Sequence, residues 1–480
     1  MRLKIGFGTR ARRGREADAI TGGRGVHAGN RPRIGGGRAA RCAAGMLFTL
    51  ILALAGAAAP ARVRAAAAAD GLQARIDRAG PGDVVRIPAG EYSGPLVIDK
   101  PLTLLAEGDV RLQGDREAPA VHITADGVAI RGLTIVDTVL KPDKTATVLV
   151  EADGVRLANL SIRTVNHGIR LVGVTGGEIR DSTIEWAGDD VRLSERGNGI
   201  DLFRSHRNRI AGNTVAGVHD GIYIEGGDDN EVEANRIDRS RYGVHLMYTN
   251  RSVIRGNTGS QNITGIMVMT SRHAAVTGNS FSKQNENVHS QGVLLFDVQE
   301  SRFADNRVEG NRVGFYVEQS GGNTLERNEI VKNYIGIRMI AATGNRLHGN
   351  TFRGNVVNAE AVESADNTVE GNYWDAFRGL DTDGDGRSDL AYPVNPFFLN
   401  LAERQPAFQL FFQSPGLLFL EGLFAADRDT WLTDAAPLME PPAAGVGEAD
   451  KPSGAAAGVF GAMLLAAALF NIWYWGVRRT

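Results

Sequence analysis

A repeat of 22 residues in the middle of this chain constrains its fold more than any other feature. The pattern glycine-apolar-X-apolar starts at seven glycines: Gly199, Gly221, Gly243, Gly265, Gly292, Gly314 and Gly336. A second marker keeps the same spacing: Asn213, Asn235, Asn257, Asn279, Asn306, Asn328, Asn350 and Asn372. Both series take one five-residue insertion, in "SFSKQNENVHSQ". A period this short indicates a solenoid in which each copy forms one coil.

Within each copy the apolar residues alternate with period two and are bounded by Gly, Asn, Asp and Ser, which is typical of short strands and turns. We therefore predict an all-β fold, a right-handed parallel β-helix of about ten coils over residues 70–375. The recurrent asparagines are expected to stack as a ladder at one corner, where their amides satisfy turn backbone groups. The opening "DGLQARIDRAGPGDVVRIPAGEY" predicts a short capping helix followed by the first strand.

The two ends of the chain read as targeting and anchoring segments. Residues 1–69 form a basic leader with an apolar stretch at 46–59, which predicts a secretory signal peptide. Residues 454–477 carry no charge and are followed by two arginines, which predicts a transmembrane helix whose positive end is cytoplasmic. A linker rich in Pro, Ala and Gly, residues 436–453, precedes it. We expect a periplasmic body anchored to the inner membrane.

Composition excludes some functions. The formal net charge is only −2 at pH 7, so charge gives no case for nucleic-acid binding. The single cysteine, Cys42, falls in the leader. The mature protein should therefore have neither disulfides nor a thiolate metal site.

The folded part holds few methionines, and three of them lie in two neighbouring repeats. Residues one and three after each repeat glycine are apolar and should face the core, so residues two and four should face outward. This phase puts four residues on one outer face of adjacent coils: His245, Met247, Met267 and Met269. Imidazole and thioether ligands without a carboxylate suit Cu(I) and are poor for Mg²⁺ or Ca²⁺. We therefore predict a copper site there, exposed to solvent.

Two other interpretations of the same face stay open. An exposed methionine surface can serve as a docking patch for a partner, which Leu294 and Phe296 on the next coil would extend. Alternatively, a loop could cover the face and make it ordinary core. His219, Tyr248 and His273 are near in sequence, but their strand phase is not fixed.

A second candidate metal site is "DTDGDGRSD", residues 381–389. Its spacing matches the first nine positions of an EF-hand-type calcium loop, with the Arg387 carbonyl as a further ligand. The acidic ligands would be Asp381, Asp383, Asp385 and Asp389. The twelfth position is Tyr392 instead of glutamate, so a structural role is expected, with a solvated acidic turn as the alternative.

Many β-helices act on polysaccharides, so an enzyme of that class is the runner-up. The candidate acidic pairs are Asp189–Asp190, Asp228–Asp229 and His219–Asp220. Such pairs need a defined separation for glycoside chemistry, and aspartates in turns are mostly turn residues. We therefore expect no catalytic residues and no enzyme activity.

Residues 376–435 follow the solenoid and combine the acidic loop with "NPFF" and "QSPGLLFLEGLF". The large apolar residues, interrupted by proline, suggest short helices that cover the end of the solenoid or dock on a membrane partner.

The repeats resemble the carbohydrate-binding and sugar-hydrolase β-helix class. Together with "GNYWDAFRGLDTDGDGRSDLAYPV" and the apolar segment after it, they make the chain similar to the NosD family of nitrous oxide reductase maturation factors. That resemblance implies a periplasmic copper-binding protein that works with an ABC transporter permease and its ATPase. It also implies copper received from a chaperone lipoprotein and delivered to nitrous oxide reductase. The family pattern does not assign copper ligands.

Overall fold

The computed structural model describes residues 71–442, apart from residues 116, 142–144, 285–286, 288–289, 396, 412–413 and 424–430. Over this range the chain is a parallel β-helix of the right-handed type, as predicted. One side of the solenoid, which we call the glycine sheet because seven of its strands begin at or beside a repeat glycine, has twelve strands: Leu96–Ile98, Val121–Ile123, Val148–Val150, Ile169–Val172, Ile200–Phe203, Asp220–Glu225, Tyr242–Met247, Thr264–Arg272, Gln291–Gln299, Val313–Glu318, Ile335–Ile340 and Val357–Val362. Twelve rungs exceed the ten coils predicted, because the first coils lack the strict repeat.

The other sides of the coils belong to a 24-stranded sheet that begins with Val84–Ser93 and Thr103–Gln113 and then divides into two series. The first series contains Ala129–Arg131, Arg156–Ala158, Glu178–Arg180, Arg209–Ala211, Glu231–Glu233, Val253–Arg255, Ala275–Thr277, Arg302–Ala304, Thr324–Glu326, Arg346–His348 and Thr368–Glu370. The second contains Thr134–Asp137, Ser161–Thr164, Thr183–Trp186, Thr214–Ala216, Arg236–Asp238, Thr258–Ser260, Ser280–Ser282, Arg307–Glu309, Glu329–Val331, Thr351–Arg353 and Tyr373–Trp374.

The repeat glycines are required by the close approach of successive coils. A Cβ added at Gly243 would lie 2.4 Å from the carbonyl oxygen of Gly265. A Cβ at Gly265 would lie 2.5 Å from the carbonyl oxygen of Gly292 and 2.6 Å from Cβ of Phe281. Any larger residue at these positions would push the coils apart, which is why the glycine keeps the solenoid period.

The predicted asparagine ladder is present. From Asn213 to Asn372, the Nδ2 atom of each repeat asparagine donates to Oδ1 of the next at 2.8 to 3.0 Å. The ladder ends on Asp434, whose Oδ2 accepts from Asn372 Nδ2 and from Trp374 Nε1, both at 2.9 Å. Each buried side-chain amide thereby has the amide of the next coil as its hydrogen-bond partner, as buried polar groups require.

Both ends of the solenoid are closed. The predicted capping helix is confirmed as Leu72–Arg78, and its Leu72 and Ile76 are buried in the first coil. At the other end the ring of Trp374 stacks on Phe352 with centroids 4.0 Å apart, and Tyr392 lies 5.5 Å beyond. These caps keep the apolar column inside the coils away from water, which solenoids require.

Among its described residues, the segment after the solenoid contains three short helices and one antiparallel strand pair: Phe397–Arg404, the 3-10 turn Pro406–Phe411, Pro415–Leu423, and the strands Tyr392–Pro393 and Thr433–Asp434. Another 3-10 turn, Leu193–Glu195, lies in a corner loop.

The first of these helices packs on the flank of the glycine sheet, whereas Tyr392 and Asp434, on either side of the helices, contact the end of the solenoid. Its Phe398, Leu399 and Ala402 pack against Val313, Ile335 and Val357. None of the helices within the described part of the chain is long and apolar enough to cross a bilayer. The predicted signal peptide and the predicted span at 454–477 lie outside the described residues.

Candidate functional site

The alternation predicted for the glycine sheet is confirmed in the two strands that carry the methionines. Their inward-facing side chains have no exposed surface: Val244, Leu246, Ile266 and Val268. The side chains between them therefore point away from the interior. The register of the two strands pairs His245 with Met267 and Met247 with Met269. We call these four residues the His-Met cluster.

The His-Met cluster is less exposed than predicted. Solvent exposure was expected for all four side chains, but His245 and Met267 are only 5% and 8% exposed. The other two methionines are half-buried. For the histidine the cause is aromatic cover, since the rings of Tyr223 and Tyr242 lie 4.8 Å and 4.9 Å from the imidazole. The cluster is therefore a covered site on the outer face of the solenoid.

A buried carboxylate holds the histidine of the cluster. Asp220 lies on the preceding rung, is 1% exposed, and has Oδ2 3.0 Å from Nδ1 of His245. Arg241 donates to both oxygens of the same carboxylate, at 2.8 Å and 2.7 Å. Burial raises the pKa of Asp220, but the hydrogen bonds and charges of His245 and Arg241 outweigh that effect and lower it to about 2. Asp220 is thus ionised at neutral pH.

A tyrosine hydroxyl contacts one of the thioethers. Oη of Tyr223 lies 3.4 Å from Sδ of Met247 and 2.9 Å from Oε2 of Glu225. Burial and the Glu225 carboxylate raise the pKa of Tyr223, so the hydroxyl keeps its proton. Because that hydroxyl has one proton, donating it to Glu225 leaves the sulfur lone pairs of Met247 free for another partner.

This arrangement offers thioether and imidazole groups as soft ligands, whereas the neighbouring carboxylates already accept hydrogen bonds. Neighbouring rungs are about 4.8 Å apart, so long thioether side chains on paired positions can reach one ion. Asp220 is held by Arg241 and His245, and Glu225 beside Met247 accepts from Tyr223, so the donors that the His-Met cluster itself supplies are imidazole nitrogen and sulfur. Such a set favours Cu(I) over Mg²⁺ or Ca²⁺. On the next rung, Leu294 pairs with Met267, so the ladder continues with an apolar residue.

Sequence reasoning considered Asp220 only as half of a catalytic pair, placed Tyr223 on the outward face without a role, and did not consider Arg241 or Tyr242. The signal was present in the spacing. Tyr223 precedes His245 by one full period and stands beside it in register. Asp220 precedes it by one period plus three residues, which puts its side chain across the rung boundary. Residues one period away from a candidate ligand are thus the ones to inspect.

Of the three residues whose phase was open, His219 contacts this network through the backbone, since its carbonyl oxygen accepts from the N–H of Arg241 at 2.7 Å. Tyr248 and His273 follow their strands in left-handed backbone conformations and are exposed. His273 has Nδ1 3.5 Å from Glu300. His219 directly precedes Asp220 and is half-buried.

The acidic loop brings three of its four predicted carboxylate ligands together. Three residues each have a carboxylate oxygen within 4.8 Å of the others: Asp381, Asp383 and Asp385. Asp389 instead accepts from the backbone N–H and hydroxyl of Thr382, at 2.9 Å and 2.6 Å. Arg387, the predicted carbonyl ligand, donates its backbone N–H to Asp385 at 2.7 Å. Calcium binding stays a prediction.

Three further aspartates of the acidic pairs considered for glycoside chemistry are engaged in other contacts. Asp229 makes a bidentate ion pair with Arg251, at 2.7 Å and 2.9 Å. Asp228 accepts from the amide of Asn250. Asp190 in the corner loop pairs with Arg196 at 3.0 Å. Each of these contacts ties one turn to a neighbouring segment.

Comparison with known proteins gives consistent matches. A family model described as "Periplasmic copper-binding protein (NosD)" matches residues 184–379. A protein of Pseudomonas aeruginosa named "Probable ABC transporter binding protein NosD" is 33% identical over 401 residues, 78% of this chain and 92% of that protein. A protein of the same name from Stutzerimonas stutzeri is 30% identical over 384 residues, 74% of this chain and 87% of that protein.

Solved structures that resemble this chain include carbohydrate enzymes. The catalytic domain of a GH87 α-1,3-glucanase aligns with 64% of this chain and 68% of its own, with a TM-score of 0.51 and 13% identity. The A-module of a mannuronan C-5 epimerase from Azotobacter vinelandii gives a TM-score of 0.48 at 16% identity. At such identities the likeness extends to the fold alone.

Proposed function

Because the chain belongs to the NosD family, we propose that it is a periplasmic copper-binding protein that helps deliver copper to nitrous oxide reductase. Its relatives are named as ABC transporter binding proteins. We propose the corresponding partners for this chain: a permease with its ATPase, a copper chaperone lipoprotein that supplies the metal, and the reductase that receives it. The protein would act by binding and transfer, without catalysing a reaction.

One observation carries the copper assignment. An imidazole and three thioethers occupy paired positions on two adjacent rungs: His245, Met247, Met267 and Met269. Soft sulfur donors of this kind favour Cu(I), and methionine side chains are flexible enough to adjust to an ion. We therefore propose that these four residues bind Cu(I) as cargo. Partial cover by tyrosine rings would shield the bound ion from solvent while two half-buried methionines give access.

A metal-free scaffold that only docks proteins is the main competitor. It is favoured by the apolar continuation of the face at Leu294 and Phe296, which are half-buried. Such a scaffold does not require sulfur at three positions, since leucine would serve equally well for docking. The two functions therefore predict different outcomes when the sulfur atoms are removed and the apolar volume is kept.

The test is an anaerobic titration of the full-length protein with Cu(I) against a competing chelator. We expect one ion per protein, with an affinity at least about 100-fold weaker when Met247, Met267 and Met269 are all replaced by leucine. The matched control is Met439→Leu, which removes an exposed thioether after the solenoid and should leave the affinity unchanged. Equal affinity of the triple variant and the native chain would reject the site. Absence of copper binding by both would favour the scaffold.

A further inference from the structure

The second ring nitrogen of His245 is buried and has no hydrogen-bond partner among the described residues. Buried polar atoms without a partner are rare and call for an explanation. We propose that Asp220 is a positioning residue, which holds His245 with its proton on Nδ1 so that the Nε2 lone pair is presented to copper. This inference rests on the copper-binding function proposed above and adds a residue outside the predicted ligand set.

The location of the proton follows from the partners of the carboxylate. Both oxygens of Asp220 accept hydrogen bonds from the Arg241 guanidinium, and a carboxylate paired with an arginine in this way can only accept. The 3.0 Å contact with Nδ1 of His245 therefore requires the proton to be on the histidine. In the neutral ring, Nε2 then carries a lone pair. The opposite tautomer would set a lone pair against the carboxylate and leave a buried N–H without an acceptor, which is unfavourable twice.

The orientation of the ring is fixed as well as its tautomer. The imidazole lies between Tyr223, with planes tilted by 45°, and Tyr242, in an edge-on arrangement at 83°. Arg241 in turn has its guanidinium 4.2 Å from the ring centroid of Tyr242, so the same arginine supports both the carboxylate and the aromatic cover. Turning the ring over would break the bond to Asp220 within a closed aromatic site. The imidazole is therefore held in one pose before any metal arrives.

A neighbouring ion pair shows what a purely structural aspartate looks like in this fold. Asp229 and Arg251 form the same two-pronged contact across one period, yet Asp229 is half-buried and has no hydrogen bond to a histidine among the described residues. Asp220, by contrast, is almost fully buried, and one of its oxygens accepts a hydrogen bond from an imidazole. Burying a carboxylate is costly, so a structural role alone would be served by the more exposed arrangement. Metal-binding histidines commonly donate their other nitrogen to a carboxylate in this way.

The tautomer can be tested without copper. The full-length protein is labelled with ¹⁵N at its nine histidines, and the signals of His245 are assigned by their loss in His245→Gln. We expect the native spectrum to show a protonated Nδ1 and an unprotonated Nε2 at neutral pH. In Asp220→Asn we expect a mixture of tautomers or the opposite one, with the other histidine signals unchanged as evidence of an intact fold. A native His245 with its proton on Nε2 overturns the inference.

Copper affinity provides the second readout. Asp220→Asn should weaken Cu(I) binding by roughly 10- to 100-fold, the range seen when such orienting carboxylates are removed. Asp229→Asn is the matched control and should bind copper as the native chain does. Equal affinities of the two variants would overturn the positioning role. If the native chain binds no copper, the proposed function fails and the presentation to copper fails with it, whereas the ¹⁵N spectrum still decides the tautomer separately.

Discussion

Two ladders of side chains run along this solenoid, and they differ in how far they repeat. In the asparagine ladder the same residue recurs at eight coils, and each amide is satisfied by the next. The outward position two after the repeat glycine differs from coil to coil: Asp201, Tyr223, His245, Met267, Leu294, Tyr316 and Arg338. The inward residues already build the core, so the fold leaves the outward ladder free. The residues of a binding site can therefore vary only at positions, such as these outward ones, where the fold does not require the same residue in every coil.

The largest effect is expected from breaking the repeating ladder. Oδ1 of Asn279 accepts from the backbone N–H and the amide of Asn257, and its Nδ2 donates to Asn306 and to the carbonyl of Ile254. Asn279→Ala leaves these buried partners unsatisfied, so we expect the free energy of unfolding to fall by at least about 3 kcal/mol. Urea denaturation followed by circular dichroism measures the change.

The control for this variant is Asn400→Ala, which alters an exposed helix residue and should change the free energy of unfolding by less than about 0.5 kcal/mol. Since the His-Met cluster lies on another side of the coil, the folded Asn279→Ala protein should still bind Cu(I). A loss of stability below about 1 kcal/mol would mean that water or neighbouring amides replace the ladder bonds, and the contrast between the two ladders would fail.

The fold was predictable because its determinants repeat. Period, glycine position and the asparagine marker each recur seven or eight times, so the sequence states the same constraint many times over. The path of the segment after the solenoid was predicted less well. Its first helix packs on Val313, Ile335 and Val357, which occupy equivalent positions on three successive coils. No periodic feature of the sequence indicates that a distant helix packs there.

The candidate site was only half predictable for the same reason. Strand parity identified which side chains leave the core, and it holds for both methionine strands. Strand parity does not show how deeply an outward residue is covered, because the cover comes from bulky neighbours, here Tyr223 on the preceding rung and Tyr242 on the same strand. His245 is buried by Tyr223, and it is held by Asp220, whose side chain reaches from the preceding rung. Tyr223 and Asp220 do not recur in every repeat, so only the structure shows that both lie against His245.

A smaller effect should appear at the non-repeating ladder when copper is added. Ligand binding at 100 times the dissociation constant stabilises the bound form by about 2.7 kcal/mol. We expect this to appear as amide hydrogen exchange slowed by about 100-fold in the strands Tyr242–Met247 and Thr264–Arg272. The first strand, Val84–Ser93, should exchange at the same rate with and without copper, since a solenoid coil contacts only its neighbours.

Protection at Tyr242–Met247 and Thr264–Arg272 should be absent from the variant with leucine at the three methionine positions of the His-Met cluster. Uniform slowing along the whole solenoid would indicate that copper acts through global stability. Slowing confined to other coils would put the ion elsewhere and remove the link between the irregular ladder and function.

The smallest effect concerns the acidic loop, which lies outside both ladders. If the loop binds Ca²⁺ with a dissociation constant of about 1 mM, 10 mM Ca²⁺ adds about 1.4 kcal/mol to the free energy of unfolding.

Hydrogen bonds from the backbone N–H groups of Gly384 and Gly386 lower the pKa of Asp381 below its ordinary value. A lowered folded pKa gives stability that is present above about pH 4 and is lost as the pH falls, so the calcium effect should vanish in acid. Thermal unfolding at pH 7 with Ca²⁺, or with Mg²⁺ at the same concentration, measures it. A calcium shift that persists in Asp381→Asn combined with Asp385→Asn would show that the ion acts at another place, and would return this loop to an ordinary solvated turn.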